Sequence, residues 1–309
     1  MATALHAPLW SFQYGKLLGV TDDGRIAAVE GLASGGGEAD TALSAPLADM
    51  GRNIEISPLD ESTLLVPQPR AGSVARLDIA DLSVTDALDA GPEPDVLALD
   101  SGSRTLLSLS ADASTVTPVD LHRDRLLPAT RVDARPGALV QGAARGRQLD
   151  FHVVDDSAVT HYQGVDPPVG SVGRLTPGAA AVAGDRAKVS RVYIGPAGTG
   201  KVLAVDSDSD GKGLKVVGTA DLGEDVQFLA TDDTRIYAVT DRRVVVLETH
   251  SFDGYAGSTI PVIRDFDYRA ALSGEAKDAP VAGVTVAAHR VFLTFSGAPW
   301  VVGVAKPRV

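Results

Sequence analysis

A short pattern recurs along the chain at an almost constant interval, and it constrains the fold more than any other feature. The pattern is a Val or Ile, two variable residues, a second apolar residue and, in most copies, an acidic one. It occurs at 26–30 (IAAVE), 74–78 (VARLD), 116–120 (VTPVD), 159–163 (VTHYQ), 202–206 (VLAVD) and 244–248 (VVVLE), with a degenerate copy at 299–303 (PWVVG). From Val74 to Val244 the successive starts lie 42, 43, 43 and 42 residues apart. The outer spacings are longer, 48 and 55 residues, and each contains an insertion: a Gly-rich stretch around 34–38 and the segment 250–277. Repeats of this length form one supersecondary unit each and bury their faces only by stacking on their neighbours.

Within one period the residues read as four short strands separated by turn chemistry. In the third copy these are 95–99, then a turn at Gly102, 105–109, a polar turn at 110–114, 116–120, and finally 126–132. Runs rich in Val, Leu and Thr bounded by Gly, Pro, Asp and Ser are strand signals. Only 73–90 is long and free of Gly and Pro, so it alone rivals this reading as a helix, and its alignment with the other copies decides for strands. Seven copies of a four-stranded antiparallel unit predict an all-β, seven-bladed β-propeller filling 1–309 as a single domain. The last copy ends close to its third strand, so the N-terminal segment before Leu9 is expected to supply the missing outer strand and close the ring.

Composition excludes several classes. With no cysteine, thiolate nucleophiles, redox pairs and cysteine zinc sites are absent. A net charge of -12, from 28 basic and 40 acidic side chains, argues against nucleic acid as a partner, because that binding relies on Lys and Arg to neutralise phosphates. No window approaches the ~18 apolar residues of a membrane span. The N-terminal MATALHAPLW has neither the basic nor the apolar run of a secretory signal.

The strand, tight turn and V-x-x-apolar-D rhythm resembles the bacterial YVTN/NHL-like β-propeller superfamily over nearly the whole chain, with 237–240 (YAVT) echoing its name motif. WD and Kelch signatures are absent. The resemblance implies the fold; an extracellular or cell-envelope setting is a separate expectation. Propellers host many unrelated activities, so it implies no particular one.

Four motifs invite a chemical reading. Residues 195–201 (GPAGTGK) match a phosphate-binding loop except that Val202 stands where a hydroxyl should bind magnesium, and the loop lies between two strands instead of opening a helix, so it reads as a glycine turn. Asp206, Asp208 and Asp210, followed by Gly211, open a calcium loop of DxDxDG type, which makes calcium the candidate cofactor. Val217 stands where the bidentate Glu belongs, so a solvated turn is the competing reading. The histidines show no HxH or HExxH spacing, although His152 and His161 flank one hairpin and are expected to be satisfied or exposed. No GxSxG elbow is present.

The ring makes a positional prediction. Asn53, Asp95 and Asp225 each stand where an inner strand begins, and Asp22, Asp23, Asp112, Asp155, Asp156 and Asp241 each precede a third strand. Both sets belong on one face, giving an acidic rim around the channel mouth suited to a divalent cation, a small cationic ligand or a basic protein segment. The competing reading is that these side chains satisfy turns locally. The 250–277 insertion adds contact-prone residues in Tyr268 and Arg269. The function that follows is a non-catalytic ligand- or protein-binding propeller, acting through the acidic mouth and the insertion. The alternative is a metal-dependent hydrolase resembling gluconolactonases, or a metal carrier, with a divalent cation at the channel mouth; a single asparagine, Asn53, weakens it.

Overall fold

The computed structural model describes residues 1, 3–32, 39–100, 104–143, 148–187, 190–207 and 213–307. Their strands form seven antiparallel sheets arranged in a ring, each joined to the next in chain order. Blade 1 holds His6–Ser11, Lys16–Val20, Ile26–Val29 and Thr41–Leu43; blade 2 holds Glu55–Ile56, Thr63–Gln68, Ser73–Asp78 and Val84–Asp89. Blade 3 holds Pro94–Leu99, Thr105–Ser110 and Thr115–Asp120, with an outer strand split into Arg125–Leu126 and Thr130–Arg131. Blade 4 runs through Leu139–Gly142, Leu149–Val154, Val159–Gly164 and Gly170–Leu175, and blade 5 through Ala181–Gly184, Arg191–Gly195, Lys201–Ser207 and Leu214–Asp221. Blade 6 comprises Phe228–Thr231, Arg235–Val239, Arg243–Glu248 and Val262–Asp267. Blade 7 has three strands, Val281–Val286, Arg290–Phe295 and Ala298–Ala305.

Burial explains the repeat. Second and third strands are covered by neighbouring blades, so Leu149–Val154 is buried throughout and the first and second apolar residues of the six regular motifs, such as Val74 and Leu77, are buried. Outer strands meet solvent, and five of the six residues of Val84–Asp89 are exposed. In two copies the acidic residue ending the motif closes the following turn: Asp78 accepts from the Ala80 N–H at 2.8 Å and Asp120 from the His122 N–H at 3.1 Å. The 73–90 segment forms two strands, and 195–201 is a strand end, a turn and a strand start with no helix.

The ring closes at the N-terminal strand, but by a different route from the expected one. His6–Ser11 is the inner strand of blade 1, paired with Lys16–Val20, and is not the outer strand of blade 7. It packs against the inner strand of blade 7, where Pro8 lies so close to Gly283 that any side chain at 283 would collide with it. Trp10 stacks on Phe292 at 5.2 Å across the same seam. Blade 1 takes this segment as its own inner strand, so the segment is not free to extend blade 7. The 250–277 insertion is also smaller than its length suggested, since it includes blade 6's outer strand; the Gly-rich stretch at 34–38 falls outside the described residues.

Candidate functional site

The upper face of the ring is the one on which inner strands begin and second strands turn into third strands. There the expected rim residues are placed together, and most have a local partner. Asn53 bridges blades 2 and 3 with both ends of its amide, donating to the Leu97 carbonyl and accepting from the Leu97 N–H, each at 2.8 Å. Asp95 accepts from Arg52 Nε at 2.6 Å, while the same guanidinium donates to the Gly137 and Ala138 carbonyls at 2.8 and 2.5 Å. One arginine thus ties three blades. Asp225 accepts from the Gly200 N–H at 3.2 Å.

The turn carboxylates behave similarly. Asp112 accepts from Ser110 Oγ at 2.6 Å and the Ser114 N–H at 3.0 Å, and these bonds hold its carboxyl below the usual range. At Asp155 burial pulls upward, but bonds from the Ser157, Ala158 and Arg135 N–H groups outweigh it and the carboxyl ends below its ordinary value. Asp22 lies 3.8 Å from His6, Asp23 pairs with Arg25 at 3.1 Å and Asp156 with Arg135 at 3.1 Å. The rim carries many carboxylates, but cations or backbone donors stand beside them. A divalent cation bound through Asp95 and Asn53 would have to displace Arg52 and break the Asn53 bridge.

Three expected residues meet at one place. Asp241, in the upper turn of blade 6, faces Tyr268 and Arg269, which follow its outer strand. Tyr268 donates its hydroxyl to the Asp241 carbonyl at 2.7 Å, and burial pushes its pKa up to about 12. Arg269 is buried, lies over the Tyr268 and Phe295 rings, and donates to the carbonyls of Asp241, Lys277 and Ala279 at 2.7, 2.9 and 2.7 Å, as well as to the Asp241 carboxylate. These bonds pin the connection 268–280 onto the seam between blades 6 and 7. A cleft of about 260 Å³ opens beside them, lined by Asp241, Arg242, Arg269, Lys277 and Asp278. Arg242 is largely exposed and pairs with Asp267 at 3.4 Å; Lys277 and Asp278 are exposed.

The lower half of the ring holds what the motif search missed. Arg191 is fully buried and donates to both oxygens of Asp206, at 2.5 and 3.1 Å, and to the Thr249 carbonyl of blade 6 at 2.9 Å. Beside it the Tyr193 hydroxyl donates to Asp185 at 2.6 Å, and Ser251 donates to the same carboxylate at 2.8 Å. Asp206, the first residue of the expected calcium loop, is therefore held by a guanidinium, and Asp208 and Asp210 lie outside the described residues. Among the described residues no group of three or more His, Asp or Glu side chains is placed to hold a metal ion. The next blade repeats the tie, with Tyr237 donating to Asp232 at 2.8 Å and Lys306 pairing with that carboxylate at 2.5 Å. An Asp followed by Arg-(Val/Ile)-Tyr in two successive repeats was the readable signal.

His152 and His161 face each other across blade 4, stacked 4.6 Å apart and buried. His161 Nε2 lies 2.5 Å from Asp150, whose other oxygen accepts from Ser190 Oγ at 2.9 Å and Gln163 at 3.2 Å. Among the described residues neither His152 ring nitrogen has a hydrogen-bond partner, and burial, reinforced by His161, pushes its pKa down to about 3. The expectation of satisfied or exposed histidines fails at His152.

The chain is a seven-bladed β-propeller, and solved structures share that architecture. It is similar to hydrazine synthase of Kuenenia stuttgartiensis, at a TM-score of 0.68 and 10% identity over 99% of this chain and 97% of that one. It is similar to the β-propeller domain of Myceliophteria thermophila Cps50 (Swd1), at 0.60 and 12% over 85% and 88%, and to a functionally unknown protein of Desulfotomaculum acetoxidans, at 0.62 and 8% over 80% and 78%. Identities this low speak for the fold alone. No family model matches the chain, and no curated protein matches it.

Proposed function

We propose that this propeller is a non-catalytic binding module that holds a partner protein against its upper face, at the cleft between blade 6 and the connection 268–280. The observation that carries the reading is the cleft's size and lining. At about 260 Å³ it falls below the ~300–1,000 Å³ typical of small-molecule pockets, and it suits one or two side chains of a docked protein. Arg242 and Lys277 present cations beside Asp241 and Asp278, so the fitting partner offers a carboxylate or amide side chain next to a basic one; a free cationic ligand would meet like charge. Arg269 supports the floor, since its donors are committed to carbonyls that hold the connection in place. Membership of the YVTN/NHL-like superfamily belongs to the same proposal and rests on the repeat's resemblance; a cell-envelope or extracellular setting is proposed with it.

The test is a selection of random twelve-residue peptides on the intact protein, followed by calorimetry against the Arg242→Glu, Lys277→Glu double variant. Selected peptides should lose at least about tenfold in affinity, the weight of one charge-assisted contact. Peptides that bind the double variant unchanged would defeat the reading.

A further inference from the structure

Among the described residues blade 7 has three strands and its third lies at the edge. In blade 6 the Thr249 N–H bonds inward to the Thr234 carbonyl, and the preceding Glu248 N–H bonds outward to the Pro261 carbonyl, leading into the outer strand. Blade 2 repeats this, with Ile79 bonding inward to Ser62 and Asp78 outward to Ser83. In blade 7 the Lys306 N–H bonds inward to the His289 carbonyl at 3.0 Å, and the register pairs Ala305 with Arg290. The alternation of an antiparallel ladder then turns the N–H and C=O groups of Ala305, Gly303 and Val301 outward. Among the described residues no strand pairs with that edge.

Beyond its upper end the edge lacks the protection such edges normally carry. Ala298–Ala305 (APWVVGVA) contains no charged residue, and Trp300 is 53% exposed. Exposed edges are usually blunted by charges, bulges or proline; here Pro299, which cannot donate, and a bulge near Phe295 affect only the upper end. The sequence of the strand is that of a covered third strand.

We propose that the outer edge of Ala298–Ala305 is a docking slot for an extended, neutral or basic segment of a partner chain, which completes blade 7 as its antiparallel fourth strand. The shape of the slot selects this occupant. Blades 6 and 1 on either side each carry a fourth strand, Val262–Asp267 and Thr41–Leu43, so the edge is recessed by one strand width, about 4.8 Å. A single extended segment fits between them, whereas a second copy of the ring would bring two recessed edges together and its flanking blades would collide first. Backbone pairing supplies the affinity and alternate side chains the selectivity. The net charge of -12 disfavours an acidic segment. The turn Gly274–Lys277 of the connection above blade 6 touches this strand, but the proposal rests on the strand's outer edge and not on the cleft.

The probe is a synthetic peptide copying the chain's own longest outer strand, residues 214–221 (LKVVGTAD), with a second version N-methylated at alternate residues to remove one edge's donors. Amide hydrogen exchange is followed on the whole protein. Excess peptide should slow exchange of the Val301, Gly303 and Ala305 amides about tenfold or more. The N-methylated peptide should have no effect. Val301→Pro, which removes an outward donor without touching the inward ladder, should abolish the protection, with thermal melting showing that the ring persists. Three results would overturn the proposal: no protection at millimolar peptide, equal protection by the N-methylated version, or amides already protected in the free protein because the chain covers its own edge.

Discussion

The charged cluster of blades 5 and 6 on the lower side and the one around the upper cleft are used differently. On the lower side Asp185, Arg191, Asp206 and Asp232 are drawn between blades and bonded to buried or half-buried partners, so their chemistry is consumed in holding blades 5, 6 and 7 together. On the upper side the carboxylates sit at turns, and Arg242, Lys277 and Asp278 remain at the surface around a cleft. Burial of charge therefore marks cohesion in this molecule, and exposed charge around a concavity marks the place to look for binding. His152 and His161 stand apart from both, being buried like the first group but incompletely bonded.

The largest expected effect tests the lower side. Arg191→Ala leaves the Asp206 carboxylate without its buried cation and the Thr249 carbonyl without its donor, and should cost about 3–5 kcal/mol in denaturant unfolding. A loss under ~1 kcal/mol would mean that the tie is solvated and the contrast between faces false.

The histidine pair supplies the pH test. His152 has a folded-state pKa of about 3, below its ordinary 6.5. As pH falls below 6.5 the unfolded chain takes up a proton that the folded chain refuses, so stability declines down to about pH 3 with a slope of up to about 1.4 kcal/mol per pH unit from this group. His152→Leu should flatten that slope and, by removing two buried nitrogens without partners, be neutral or stabilising by ~1 kcal/mol at pH 7. A slope unchanged in the variant would show that other groups carry the acid response.

On the upper rim Arg52→Ala should cost about 1 kcal/mol, because the side chain is 38% exposed and its bonds compete with water. Calcium should produce the smallest effect, a shift in melting temperature of under about 1 °C, since Asp206 is already bound by Arg191. A shift of several degrees that survives Arg191→Lys would revive the DxDxDG loop as a cation site.

The architecture was legible because each period carries its own turn chemistry and buried third strand, so the repeat exposes the blades one by one. The closure was not, because periodicity says where strands lie and not which edge receives the first of them; Pro8 meeting Gly283 is a contact across nearly the whole chain. The rim residues were readable as types at turns, and their placement on one face followed from the ring. Their partners were not readable, since Arg52 reaches Gly137 across 85 residues and Arg191 reaches Thr249 across 58. Asp241, Tyr268 and Arg269 were each singled out from sequence, but only packing brings them to one cleft.

That cleft carries the central claim, and hydrogen exchange with a selected peptide bound tests it most directly. The account predicts slowed exchange confined to the upper turn of blade 6 around Asp241 and Arg242 and to the connection 268–280, lost together with binding in the Arg242→Glu, Lys277→Glu variant. Protection appearing instead on the lower side, or on the opposite blades with the cleft unaffected, would contradict it.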